Sequence, residues 1–160
     1  MSVTSSEISN RRWTASDIIV RRAAREDRSR LADIFLVARR HAFTWLLPSR
    51  FKHNDFKRET EGELIIVAEV EGQVVGFASI WEPDAFIHHL YVDPAMHRRG
   101  VGRALIAGLV EICGDKPLEL KCQTNNKPAM AFYKRLGFQT ADSGVSDMGP
   151  WIRFRAPFAR

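Results

Sequence analysis

The stretch that decides the fold runs Leu90-Tyr91-Val92-Asp93-Pro94-Ala95-Met96-His97-Arg98-Arg99-Gly100-Val101-Gly102-Arg103-Ala104-Leu105. An apolar segment of strand type stops at Pro94, which cannot donate to a ladder. A glycine turn then leads into a helical period with Val101, Leu105, Leu109 and Ile112 on one stripe. Strand, turn and helix start in direct succession make an anion site. The glycines let backbone approach closely, the first N–H groups of the helix point outward, and the helix dipole with Arg98, Arg99 and Arg103 favours negative charge. A diphosphate suits such a site. A Walker loop needs Gly, four residues, then Gly-Lys-Ser/Thr, which the chain does not offer here. A dinucleotide fingerprint needs a third glycine where Leu105 stands, and it follows the strand that opens the fold. The spacing disfavours both.

Upstream, Ala85–Val92 is apolar on both faces apart from His88 and His89, which predicts a central strand. Leu64–Val70 and Val74–Trp81 are rich in β-branched residues, and Glu71-Gly72-Gln73 between them predicts a hairpin. Earlier still come a short strand at Ile18–Val20 and a helix whose Leu31, Ile34, Phe35 and Ala38 share a face. An aromatic segment from Phe43 to Phe56 then predicts a turn around Pro48 and a second short helix. Downstream, the pattern gives a helix at Val101–Cys113, a strand at Leu118–Gln123 and a helix at Lys127–Leu136 stopped by Gly137. Strands Phe138–Thr140 and Trp151–Arg155, joined by a Gly/Ser/Asp-rich loop, close the chain. The order predicts one mixed α/β (α+β) domain over residues 18–160, with a loose Ser-rich arm at 1–17.

The composition of the 160 residues, 45% apolar and 27% charged, is that of a globular domain with a sizeable core. Cys113 and Cys122 lack CxxC spacing and predict buried, reduced thiols, so neither a disulfide framework nor a metal is expected. No apolar run is long enough for a signal peptide or a membrane span, which sets the expectation of a cytoplasmic protein away from membranes. The net charge of +5 is segmented. Residues 1–60 hold thirteen basic against seven acidic side chains, residues 61–97 hold seven acidic and no Lys or Arg, and residues 98–135 hold eight basic against three acidic. The basic start raises a nucleic-acid-binding module or an RNA-linked enzyme as an alternative. No helix-turn-helix, zinc-finger or RNP pattern accompanies it, so nucleic acid is disfavoured as a partner.

Three segments together carry a family resemblance: Leu90-Tyr91-Val92-Asp93-Pro94, then HRRGVGRAL (97–105), then Asn126-Lys127-Pro128-Ala129-Met130-Ala131-Phe132-Tyr133 with Leu136-Gly137-Phe138. They resemble the GCN5-related N-acetyltransferase (GNAT) superfamily in element order from Ile18 to Arg155. The resemblance implies a central, mostly antiparallel sheet with two splayed strands, flanked by helices. It also implies acetyl-CoA as cosubstrate and transfer of its acetyl group to a primary amine by direct attack in a ternary complex. Carried over by position, Leu90 and Val92 would bond the thioester and pantetheine arm through backbone groups. N–H groups across Arg98, Arg99, Gly100, Val101, Gly102 and Arg103 would hold the diphosphate, and Asn126 would touch the pantetheine. His97 departs from the Gln or Arg usual at the first motif position. A non-catalytic acetyl-CoA sensor stays open as an alternative.

For the chemistry, the resemblance puts Tyr133 at the position of the acid that protonates the departing thiolate; its place on an apolar stripe also suits a packed tyrosine. The strand carboxylate of many relatives is replaced by Phe86. Strict alternation puts Phe86, His88, Leu90 and Val92 on one face and Ile87, His89 and Tyr91 on the other. His88 thereby resembles the strand histidine of arylalkylamine acetyltransferases, with a half-buried histidine bonded to a carbonyl as the competing role. Glu69 and Glu82 are weaker acids to consider. The acceptor, a small molecule or a peptide amine, is left open, as is dimerisation.

Overall fold

A computed structural model of the chain describes residues 7, 8 and 12–157. The elements are β1 (Ile19–Arg22), α1 (Arg28–Ala42), α2 (Asp55–Glu59), β2 (Leu64–Val70), β3 (Gln73–Trp81), β4 (Phe86–Val92), α3 (Val101–Cys113), β5 (Glu119–Gln123), α4 (Lys127–Arg135), β6 (Gln139–Ser146) and β7 (Gly149–Arg155). One seven-stranded sheet runs β1-β2-β3-β4-β5-β7-β6, with β4 in the middle as its two-sided apolar pattern predicts. Every pair is antiparallel except β4 with β5.

Helices cover both faces. On one side α3 and α4 bury Val101, Leu105, Leu109, Met130 and Tyr133 against Ile66, Ala68, Val75, Ala78 and Ile80 of the sheet. On the other, α1 and α2 bury Leu31, Ile34, Phe35, Ala38 and Phe56 against Val67, Val74 and Phe77. Phe35 sits at the centre of this second layer with edge contacts to Phe56, Phe77 and Tyr91. Its loss would cost about 3–5 kcal/mol by the usual core arithmetic. The α1 face is the Leu31/Ile34/Phe35/Ala38 stripe of the sequence, and it buries because i, i+3, i+4, i+7 residues share one side of a helix.

Two features of β4 shape the cleft. First, β4 and β5 pair only at Phe86↔Glu119 and Ile87↔Leu120. Beyond that point β4 stays with β3 as far as Val92↔Gly76, while β5 stays with β7 as far as Gln123↔Trp151, so the two central strands part. Second, the register with β3 passes from Ser79↔His89 to Ile80↔Ile87, leaving His88 without a partner in a β-bulge. The extra residue reverses the alternation. Ile87 joins Leu90 and Val92 on the α3/α4 side, whereas His89 and Tyr91 pack on Phe35. The strict two-face assignment from sequence is corrected here: a bulge adds one residue, and every side chain beyond it changes sides.

Other expectations shift as well. The hairpin turn is the two residues Glu71-Gly72, with φ of 51° and 79°, the pair of positive values that matches strand twist. The Gly/Ser/Asp-rich segment expected as a loop forms most of β6, because its ladder to β7 from Gln139 to Ser146 satisfies an exposed edge despite weak strand composition. The loose arm to Asp17 is also revised. Among its described residues, Ile8 and Trp13 lie in the α3/α4 core, and the Trp13 indole donates to the Ile8 carbonyl at 3.0 Å. Cys122 is buried as expected, but Cys113 is only half-buried, near the end of α3.

Candidate active site

The parting of β4 and β5 opens a cleft of about 480 Å³. It is lined from β4 by Ile87 to Tyr91, from β5 by Leu120 to Gln123, and from α4 by Ala129 and Tyr133, with Asn126 ahead of that helix. Its outer wall comes from Arg39 of α1, Phe43 and Phe51 of the aromatic segment, Asp55 and Glu59 of α2, and Asp147 and Met148 at the β6–β7 turn. Of the residues singled out by sequence, His88, Leu90, Asn126 and Tyr133 meet here.

At the other end of the splay lies the glycine turn. Arg98 and Gly100 both take positive φ, 64° and 89°. Such positive-φ turns direct consecutive backbone N–H groups to one side, and Gly100 is the N-cap of α3 with no side-chain cap over the first turn. Gly102 faces Phe132 of α4 so closely that a Cβ there would stand 3.1 Å from the ring, which couples the α3 start to the helix carrying Tyr133. The positive-φ turn and the open helix start are the backbone features on which the expected diphosphate site rests. Two side chains are used differently. The Arg99 guanidinium stacks 3.8 Å above the Trp13 ring. The His97 ring turns back on β4, its Nε2 3.1 Å from the Val92 carbonyl, and rests against the His41 ring of α1. Burial pushes the His97 imidazole below its ordinary value.

Tyr133 is buried among Phe132, Phe138 and Phe154 with its edge on the cleft. Burial, with Cys122 and Tyr91 beside it, pushes the phenol well above its ordinary range, so the hydroxyl keeps its proton. Asn126 has a second task as the cap of α4, its Oδ1 accepting from Ala129 N at 3.3 Å. His88 is turned out by the bulge and is half exposed. Its Nδ1 lies against the Glu63 carboxylate, whose side chain is only 3% exposed. Burial raises Glu63 above the usual carboxylate range, while His88 and the Ser79 hydroxyl pull it back. The neighbouring His89 is different: burial pushes it down to about 4, and its Nε2 approaches the Glu59 carbonyl at 3.3 Å.

The sequence gives no sign of Glu63, the last of three acids (Glu59, Glu61, Glu63) ahead of a strand, because only the fold brings it under a bulge 25 residues later. Nor does it mark Arg39, which is buried between Phe35 and Phe51 and bridges Asp55 at 3.1 Å and Glu59 at 3.3 Å. Glu69 pairs with Arg21 at 3.4 Å, and neither Glu69 nor Glu82 lines the cleft. The basic first third of the chain is largely used internally. Arg21 pairs with Asp27, Arg30 with Asp93, and Arg50 with Asp147, while Arg40 donates to the Pro48 and Phe51 carbonyls.

The acetyltransferase (GNAT) family model matches residues 28–138. An uncharacterized N-acetyltransferase of Methanocaldococcus jannaschii is 37% identical over 109 residues, 61% of this chain and 43% of that protein. The ribosomal protein bS18 alanine N-acetyltransferase of Escherichia coli is 32% identical over 108 residues, 64% of this chain and 70% of that protein. The chain spans less than half the length of the first two curated relatives it matches. Among solved structures, the PaiA N-acetyltransferase of Thermoplasma acidophilum in complex with coenzyme A superposes with a TM-score of 0.69 at 16% identity, covering 86% of this chain and 98% of that one. With the splayed central strands, the glycine turn and a family match over more than half its length, the chain belongs to the GNAT acetyltransferase family.

Proposed function

We propose that this protein is an N-acetyltransferase that moves the acetyl group of acetyl-CoA to an amine by direct attack in a ternary complex. One observation carries the reading: where β4 and β5 part, a cleft lined by β4 residues Ile87 to Tyr91 holds a buried, protonated tyrosine, and the same β4 leads directly into the positive-φ glycine turn that starts α3. Acetyl-CoA supplies the activated acetyl thioester. N–H groups from Arg98 to Arg103 hold its diphosphate, and the backbone of Leu90 with the N–H of Val92, left without a β5 partner, bonds the pantetheine arm beside Asn126. A β4 N–H steadies the thioester oxygen as negative charge grows on it. Tyr133 gives its proton to the departing thiolate, and His88 takes one from the amine.

The acceptor enters through the outer wall. A polypeptide amine suits an open rim built by two loops and α2, and the bS18 alanine N-acetyltransferase of Escherichia coli is named for acting on such an amine. A cytoplasmic setting, where Cys113 and Cys122 remain thiols, belongs to the same reading. Isothermal titration with acetyl-CoA and a thiol-release screen over peptide N-termini, lysyl peptides and small amines test it. Binding with thiol release on a peptide amine is expected. Absence of acetyl-CoA binding by folded protein would overturn it, and binding without release on any amine would favour a sensor.

A further inference from the structure

We propose that Glu63 is the positioning residue of the base, holding His88 through Nδ1 so that the opposite ring nitrogen, Nε2, faces the amine in the cleft. The inference rests on the transferase reading and adds to it a residue outside the family motifs.

Three observations support it. The bulge leaves His88 without a strand partner and swings its ring out of the alternating pattern, the usual way a strand re-aims one side chain. Glu63 is almost wholly buried, and a buried carboxylate is costly unless paired; the group set against it is Nδ1 of the His88 imidazole. The ring is half exposed, so with Nδ1 turned to Glu63 its other edge is on the cleft side. Together they form a carboxylate–imidazole pair, in which the acid fixes the tautomer and stabilises the imidazolium that forms.

The other groups around the ring are committed elsewhere. Ser79 of β3 faces Glu63. Glu59 of α2 pairs with Arg39, His89 of β4 is neutral and bonded to the Glu59 carbonyl, and Lys121 of β5 lies 4.3 Å above the Trp151 ring. Glu63 is therefore the carboxylate set to act on His88.

The proton accounting closes. As the C–N bond forms and the C–S bond breaks, the amine proton passes to His88 Nε2 and Tyr133 protonates the thiolate. Exchange with solvent then returns one proton from His88 to Tyr133, and the net products are the amide and the free thiol.

The test compares wild type with Glu63→Gln and Glu63→Leu. In Glu63→Gln, acetyl-CoA affinity by titration should stay within about twofold, kcat/KM should fall about tenfold or more, and the acidic limb of its pH profile should move to lower pH by about one unit. An unchanged profile and rate in this variant would overturn the inference. Nitrogen-15 NMR of the wild-type imidazoles, with His88 assigned through His88→Gln, reads the pair without turnover. A tautomer protonated at Nδ1 is expected, and it should be lost in Glu63→Leu; a wild-type His88 protonated at Nε2 and bare at Nδ1 overturns the inference. If wild type binds acetyl-CoA but acetylates nothing, the transferase reading fails while the tautomer still decides the pair.

Discussion

The Trp45 indole donates to the Met148 carbonyl at 2.8 Å, joining positions 103 residues apart. With the Arg50–Asp147 ion pair beside it, this bond ties the loop after α1 to the β6–β7 turn and closes the outer wall of the cleft. Neither loop has strong local structure, so the cross-link fixes the width of the cleft mouth, through which the acceptor enters in the proposed function. Trp45→Phe keeps an aromatic ring against Phe43 but removes the donor, at a cost of about 0.5–1.5 kcal/mol. The acceptor KM should rise several-fold in steady-state kinetics while the acetyl-CoA KM is unchanged; equal effects on both would place the bond outside acceptor binding.

Tyr133→Phe keeps the ring among Phe132, Phe138 and Phe154 and removes only the hydroxyl at the cleft. A proton donor is worth about 10²–10⁴ in rate. Turnover should fall in that range in a thiol-release assay, with acetyl-CoA affinity by titration nearly unchanged. Wild-type turnover in the variant would leave Tyr133 a packing residue.

Gly100→Val tests the phosphate turn. At φ of 89° a β-branched residue is strained, and relaxing the backbone turns N–H groups away from a common focus. Strain of roughly 1–3 kcal/mol corresponds to a loss of about 5- to 150-fold in acetyl-CoA affinity. Circular dichroism should show the fold retained, since a Cβ here meets only Ala15 at 3.6 Å.

Gly108→Ala should destabilise, although alanine is the better helix former by about 1 kcal/mol. The new methyl would stand 2.8 Å from a Val20 methyl and 3.2 Å from Ile66, where α3 rests on β1 and β2. Overpacking costs about 1–3 kcal/mol. The urea midpoint should drop; a higher midpoint would show that the helix can shift without cost.

Acid should unfold the protein partly through Asp27 and Asp55. The Arg21 guanidinium holds Asp27 below the usual carboxylate range, against burial and with help from the Ala24 N–H. Burial would raise Asp55, but the Lys52 N–H and Arg39 outweigh it and hold it down as well. A group depressed in the folded state contributes stability above its unfolded pKa, near 4, and loses it as pH falls through the folded value. Urea midpoints measured from pH 6 downward should decline below about pH 4. The decline should be smaller in Asp27→Asn, which is already destabilised at neutral pH.

The sequence by itself determined the helices, most of the strands and the glycine turn, because those depend on near neighbours. Helix faces follow from spacing such as Leu31, Ile34, Phe35 and Ala38, and the α3 start follows from Gly100 and Gly102 placed directly after a strand. It read a hairpin at Glu71-Gly72-Gln73, one residue longer than the turn itself, and the end of α4 near Gly137 for the same reason. What depended on pairing was hidden. The bulge at His88 exists only because β3 and β4 meet in a particular register, and a single extra residue moved Ile87 to the face opposite His89. Glu63 under His88, Arg39 across Asp55 and Glu59, and Trp45 on Met148 are contacts between residues far apart in the chain, which no local pattern encodes. Local chemistry thus decided that a glycine turn follows a strand and that a tyrosine lies on an apolar helix stripe, and the tertiary structure decided which groups surround them, since burial and register are properties of the packed sheet rather than of any one segment.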